Sequence, residues 1–370
     1  MEFTIAKSDL VRELNLSQGV VEKRTTIPIL SNVLIEAADG RIVLTATDLE
    51  LGIRCTCPAE IKKPGSGTVP AKRLLDYVRL LPDAEVNVKF GDNHWVNLVC
   101  GRSRSRIAGM SRESYPELPE MSDVIAEIPA TMLASMISQT IFAISNEESR
   151  FTLNGALMVM KPDALILVAT DGHRLALVER PVNFGLGTSY RALLPRKAMA
   201  EIQKLAGDAG AGANLQFSST DNHLFCQIGG RLLLSRKLTG NFPDYERVLP
   251  REQPNQVVLQ KDEFRATIER VAQFSDERSH AVRMKISPGE IKVFSSLSDT
   301  GEGEDTLASD YAGPSVEIGF NAVYMLDFLR AAPEEQVAFL FKDGAAAGEM
   351  RPYGENVDYK YRYIIMPMRI

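Results

Sequence analysis

The chain has 370 residues, of which 45% are apolar and 24% charged, with a net charge of −6 and four cysteines. That length predicts two to four domains at roughly 100–200 residues each, and the composition excludes disordered and collagen-like classes. No apolar run reaches the ~18 residues of a membrane span, the N-terminus lacks a secretory pattern, and the cysteines are too few for a disulfide scaffold. A soluble protein of the reducing cytoplasm is therefore expected, and the acidic balance argues against a wholly basic coat for nucleic acid.

Read in chain order, the predicted elements repeat three times. The first unit opens with Phe3-Thr4-Ile5 and a helix-like stretch marked by Leu10, Leu14 and Val21. The second opens with Glu127-Ile128 and a stretch marked by Met132, Met136, Ile137, Ile141 and Ile144; the third opens with Val257-Val258-Leu259, then Phe264, Ile268 and Val271. Spacings of three and four place these residues on one helical face. Each unit continues with a strand, a turn and a second strand. The turns are Asp39-Gly40, Pro162-Asp163 and Pro288-Gly289, all with strong turn chemistry. The second strands are Ile42–Thr47, Leu165–Thr170 and Ile291–Ser295. A further strand and a shorter helix follow, with apolar sets Leu74/Leu75/Val78, Met199/Ile202/Leu205 and Val323/Leu326/Leu329. More β-like sequence closes each unit.

Fixed offsets support a duplication. Thr47-Asp48 recurs as Thr170-Asp171, Pro70-Ala71-Lys72 as Pro195-Arg196-Lys197, and Tyr115-Pro116 as Phe242-Pro243. Three units of about 123 residues account for the whole chain, with boundaries near Met121-Ser122-Asp123 and Arg251-Glu252-Gln253-Pro254. A domain of this size is roughly 35 Å across, so three in a ring leave a gap of only ~5 Å, whereas six leave a hole of ~35 Å. A B-form duplex, about 20 Å wide with major grooves about 8 Å deep, fits the second and not the first. The six helix-like segments together carry +3, which leaves −9 for the rest of the chain. That bias suits helices facing phosphate.

Catalytic signatures are sparse. There is no Gly-x-Ser-x-Gly elbow and no phosphate-binding Gly-x4-Gly-Lys-Ser/Thr loop. Asp171-Gly172-His173 reads first as a turn with a hydrogen-bonded imidazole. Cys55-x-Cys57 has no companion ligand pair, and Cys100, Cys226, His94, His223 and His280 show no ligand spacing. Two other readings remain open on the residues alone: a hydrolase using Asp171 and His173, and a monomeric adaptor built from the same repeats.

The motifs Val69-Pro70-Ala71-Lys72, Leu153-Asn154-Gly155, Thr170-Asp171-Gly172-His173-Arg174-Leu175, Phe242-Pro243-Asp244-Tyr245, Arg247-Val248-Leu249-Pro250 and Met366-Pro367-Met368-Arg369-Ile370 stand in register along the chain. Together they resemble the bacterial sliding clamps, the β-subunit family of DNA polymerase III. The resemblance implies an α+β fold of three tandem similar domains, the DNA clamp fold, at 1–122, 123–252 and 253–370. Antiparallel sheets would lie outside and helices would line a central hole, in a ring-shaped head-to-tail homodimer.

It further implies a processivity factor that encircles double-stranded DNA without sequence preference. Such a protein has no catalytic activity and needs no metal or other cofactor. Implied partners are the DNA polymerase III alpha subunit, the delta subunit of an ATP-driven clamp loader, and other polymerases and repair proteins with a clamp-binding motif; no membrane is involved. The partner-peptide pocket would use Leu153, Thr170, Gly172, His173, Arg174, Leu175, Pro243, Arg247, Val248, Met366, Pro367 and Met368. Arg24, Lys72, Arg79, Phe151, Thr152 and Lys197 would touch DNA, with Phe151-Thr152 standing where the family usually has paired tyrosines. Arg102, Arg104, Ile107, Phe274, Glu302 and Glu304 would form the dimer interface, a basic run in the first unit meeting an acidic run in the third.

Overall fold

The structure is a computed structural model that describes residues 1–21, 26–297, 301–355 and 357–369. The first repeat contains β1 (Glu2–Ala6), α1 (Lys7–Val20), β2 (Asn32–Ala38), β3 (Arg41–Thr47), β4 (Leu51–Pro58), β5 (Glu60–Lys63), β6 (Gly65–Pro70), α2 (Ala71–Leu80), β7 (Glu85–Phe90), β8 (Trp95–Cys100) and β9 (Ser103–Ala108). The second contains β10 (Ala126–Pro129), α3 (Ala130–Ser138), β11 (Gly155–Met160), β12 (Ala164–Thr170), β13 (Arg174–Pro181), β14 (Tyr190–Pro195), α4 (Arg196–Gly207), β15 (Asn214–Ser219), β16 (His223–Ile228) and β17 (Arg231–Arg236). The third contains β18 (Asn255–Gln260), α5 (Lys261–Val271), β19 (Ala281–Ser287), β20 (Glu290–Leu297), β21 (Gly301–Ala308), β22 (Val316–Asn321), α6 (Ala322–Ala331), β23 (Gln336–Phe341), β24 (Gly348–Tyr353) and β25 (Lys360–Ile365). The threefold order of elements read from the sequence is present. The second repeat's first helix is shorter than its apolar spacing predicts. It ends at Ser138, and Ile141–Ala143 form a separate 3-10 turn because the Thr140 hydroxyl bonds the carbonyl of Met136 (2.9 Å).

Local chemistry accounts for these elements. In α2 Leu74, Leu75 and Val78 are buried while Lys72, Arg73, Asp76 and Arg79 are exposed, one apolar stripe on a helical period. In β7 the alternate residues Val86 and Val88 are buried, as expected of a strand with one wet face. By contrast β11 and β12 are buried along their whole length. Their second face is covered by the segment after β17, whose Leu238, Phe242, Tyr245 and Leu249 pack on Leu157, Val159, Ile166, Val168, Leu175, Leu177 and Ile364.

The described residues fall into two compact units, Met1–Ala134 with Lys197–Lys237, and Ser135–Arg196 with Leu238–Ile370. In the first unit an eight-stranded antiparallel sheet runs β10-β15-β16-β17-β4-β3-β2-β6, and a second sheet runs β5-β1-β7-β8-β9. In the second unit an eight-stranded sheet runs β14-β11-β12-β13-β25-β24-β23-β18, and a four-stranded sheet runs β21-β20-β19-β22. Each eight-stranded sheet therefore joins four strands of one repeat to four of the next. The joining pairs are β17 with β4, where Leu233 faces Ile53, and β25 with β13, where Tyr363 faces Ala176. Strands β9 and β21 are left as free edges of the two smaller sheets.

Candidate functional site

The β12–β13 turn is built by two side chains. The Thr170 hydroxyl donates to the carbonyl of Arg174 (2.6 Å) and accepts from the Gly172 N–H (3.1 Å). Asp171 Oδ1 accepts from the backbone N–H groups of His173 (2.9 Å) and Arg174 (3.1 Å), an Asx turn. The turn is thus closed by the backbone of His173, where the sequence suggested its imidazole. Gly172 has φ +91°, a conformation that favours glycine; His173 is exposed.

Arg174 behaves unlike a surface contact. It is 9% exposed, and its guanidinium bonds Asp171 Oδ2 (3.0 Å), Asp327 Oδ2 (2.6 Å) and the Phe142 carbonyl (2.6 Å). It also lies 4.2 Å from the centre of the Tyr324 ring, within cation–π range. Burial alone would lower its pKa, but Tyr363, Asp327 and Asp171 outweigh that and raise it. Asp327 and Tyr324 belong to α6, so Arg174 ties the turn to that helix. These partners carried no motif that would have singled them out in the sequence.

The C-terminal segment lies alongside. The Met366 N–H donates to the His173 carbonyl (2.9 Å), and the Met368 N–H to Gly319 (2.8 Å). Leu175 is buried opposite Ile364. Met366 is 38% and Val248 36% exposed, and Pro367 and Met368 are half-buried. Pro243 and Arg247 are exposed, with Arg247 paired to Asp244 at 2.8 Å. Leu153 is half-buried in a 3-10 turn, Phe151–Leu153, and accepts from the Ser145 N–H (2.9 Å). Arg150, which donates to the Asp171 carbonyl (2.9 Å), joins this group although sequence reasoning left it out. A cleft of ≈ 420 Å³ includes Arg247, Val248, Ala346 and Ala347; Leu175, His173 and Met366 do not line it. An apolar, methionine-edged surface beside a hydrogen-bonded turn can take a short extended peptide.

Three of the basic residues assigned to DNA, Lys72, Arg79 and Lys197, lie on helices. Lys72 is exposed on α2 and pairs with Asp76, and Arg79 bonds Asn15 of α1. Lys197 on α4 pairs with the buried carboxylate of Asp48 and reaches the Val20 carbonyl (3.5 Å). Phe151 is 69% exposed and Thr152 half-buried. Arg24 lies outside the described residues. The two free edges carry opposite charge. On β9 Arg104 and Arg106 point outward, with Arg102 exposed in the preceding turn. On β21 Glu302 and Glu304 are exposed, with Glu304 paired to Lys292 at 2.6 Å. Phe274 is 39% exposed, and its ring fills the space above Gly303. Ile107 is 4% exposed, because the strand's alternation turns it into the core.

Comparison with known proteins bears on the whole chain. Residues 1–119, 127–244 and 246–369 match the family models for the N-terminal, central and C-terminal domains of the DNA polymerase III beta subunit. A beta sliding clamp of Caulobacter vibrioides is 36% identical over the full length of both chains, and one of Chlamydia muridarum is 31% identical over all of this chain and 99% of its own. Among solved structures, the DNA polymerase III subunit beta of Pseudomonas aeruginosa superposes with a TM-score of 0.93 at 31% identity, covering 100% of both chains. A Pseudomonas aeruginosa sliding clamp bound to griselimycin gives 0.93 at 32% identity, again over both full chains.

Proposed function

Because the chain belongs to the DNA polymerase III beta-subunit family, the bacterial sliding clamps, we propose that two copies close head to tail, β9 of each on β21 of the other, around duplex DNA. As a clamp it tethers polymerase to DNA; it does so by enclosure, with contacts weak and salt-dependent enough to slide. The three domains span 1–122, 123–252 and 253–370. The protein is cytoplasmic, performs no catalysis itself, and is placed on DNA by a loader.

The observation that carries this reading is the register at the internal junctions. Counted from the strand residue that precedes each repeat's first helix, Ser105, Leu233 and Tyr363 are equivalent positions; counted from each hairpin turn, so are Gly303, Ile53 and Ala176. Leu233 faces Ile53 and Tyr363 faces Ala176. The same register at the third junction sets Ser105 against the partner's Gly303, Arg104 against the partner's Glu304 and Arg106 against the partner's Glu302. Opposite charges then meet in line, and the partner's Phe274 comes to rest near Ile107.

Arg24, Lys72, Arg79, Phe151, Thr152 and Lys197 face DNA in this reading. Leu153, Thr170, Gly172, His173, Leu175, Pro243, Arg247, Val248, Met366, Pro367 and Met368 receive the partner motif of the alpha subunit, the loader's delta subunit or a repair polymerase. Arg174 holds that surface from beneath. The test is retention on nicked circular DNA after loading, followed by linearisation. Release only on linearisation supports enclosure; equal release from both forms rejects it.

A further inference from the structure

We propose that the cleft between the Tyr245–Arg251 segment and the sheet face of β12, β13 and β25 is an extension of the partner-peptide site that holds an acidic segment flanking the motif. The inference rests on the peptide-pocket reading above and adds a second chemistry to it. On β13 the alternate residues Leu175, Leu177 and Glu179 stand in one row, facing Ile364, Arg362 and Lys360 of β25. Leu175, at the pocket end of the row, and Leu177 are buried beneath Phe242, Tyr245 and Leu249. Four residues on from Leu175, about 13 Å along the strand, the row ends in a cleft of ≈ 530 Å³.

The floor of that cleft is Ile166, Leu177, Tyr245 and Leu249, and its rim carries Lys161, Arg251, Lys360 and Arg362 against Glu179 and Glu246. Two of the four cations are already engaged. Lys360 pairs with Glu179 (2.7 Å), and Arg362 is held by the buried Glu349 (2.6 and 2.8 Å) and the Pro250 carbonyl (3.2 Å). Lys161 and Arg251 are exposed and have no ion pair among the described residues. A chain of net charge −6 thus presents a locally basic rim over an apolar floor, and this cleft shares Leu249, Pro250 and Arg251 with the cleft at Arg247 and Val248. The complementary occupant is an extended segment with carboxylates about four residues from its apolar anchor. The other junction has no counterpart, because the matching row is Gly52 and Arg54, with Arg54 paired to Glu120 (3.0 Å).

The experiment is fluorescence anisotropy on the full-length protein with five labelled peptides: the clamp-binding motif alone, the motif with a four-residue Asp/Glu extension at one end or the other, and the same two with Lys. The acidic extension at one end should tighten binding about three- to tenfold at low salt, the worth of two exposed ion pairs. The gain should vanish in the Lys161→Glu/Arg251→Glu variant, which should bind the bare motif as the parent does. Equal affinity of acidic, basic and bare peptides overturns the extension. Should the double variant misfold, the salt titration of the parent decides: a gain that persists at high salt overturns the inference. Unchanged binding of the bare motif to Met366→Ala/Met368→Ala would reject the pocket itself, a separate failure with its own readout.

Discussion

Reversing one charge at the proposed third junction gives a sharp test of the register. Replacing Arg104 by Glu sets it against the partner's Glu304 and diagonally near the partner's Glu302. An exposed pair contributes roughly 0.2–1 kcal/mol, and reversal adds repulsion of similar size, so about 0.4–2 kcal/mol is lost per junction. A two-fold dimer has two such junctions; the total is ~0.8–4 kcal/mol, or a ~4- to 1000-fold weaker dimer. The low end is favoured because Glu304 already has Lys292 at 2.6 Å within its own protomer. Glu304→Arg should weaken the dimer to a similar extent. Mixing the two single variants should restore it, since the heterodimer has one native junction and one with both charges reversed. Size exclusion with light scattering across a dilution series reads this directly. If the mixture stays monomeric, or if Glu302→Arg rescues Arg104→Glu and Glu304→Arg does not, the shared register is wrong.

Further predictions concern the two units separately. Met366→Ala/Met368→Ala should weaken a partner peptide about tenfold or more while leaving the dimer intact, as isothermal titration and light scattering would record. Leu49 occupies in the first repeat the turn position of Gly172, with φ +78° and 48% exposure. Leu49→Gly should therefore not destabilise and should gain up to about 1 kcal/mol, whereas Gly172→Leu should lose about 1–2 kcal/mol, both read from urea midpoints. Burial alone would raise the pKa of Glu349, but Arg362 and Arg351 hold it below the ordinary range. A lowered folded value stabilises the fold above the unfolded glutamate value of about 4.3, and that stability is lost as pH falls through the folded one. Glu349→Gln should thus melt lower at pH 7 and show a flatter decline in acid.

What the sequence made legible was what is local or repeated. Turns at Asp39-Gly40, Pro162-Asp163 and Pro288-Gly289, apolar spacing in α2, and fixed offsets between copies all leave marks on neighbouring residues. The sheets that cross from one repeat to the next leave none, because β17 meets β4 and β25 meets β13 over some 180 residues of intervening chain. For the same reason the interior role of Arg174 was hidden. Its partners Asp327 and Phe142 lie on other elements, and a charged residue in a turn motif reads as surface. The burial of Ile107 could have been seen, since the charged Arg104 and Arg106 alternate along β9 on the face opposite to it.

The three junctions also differ in a way that suits a ring meant to open. At the two internal ones the outward-facing pairs are Leu234 with Gly52 and Leu175 with Ile364. Each is covered by chain: Leu118 and Met121 pack over the first, and Phe242, Tyr245 and Leu249 over the second. Burying such side chains stabilises by about 1.5–3 kcal/mol each and is indifferent to salt. At the positions equivalent to these, the proposed third junction has Arg106 and the partner's Glu302, exposed charges worth at most about 1 kcal/mol and screened within ~8 Å at physiological ionic strength. Separating that edge costs little desolvated apolar surface, while separating either internal edge would strip a core. Under force the proposed ring is therefore weakest where two chains meet, and raising the salt should loosen that junction while leaving the folded domains unaffected.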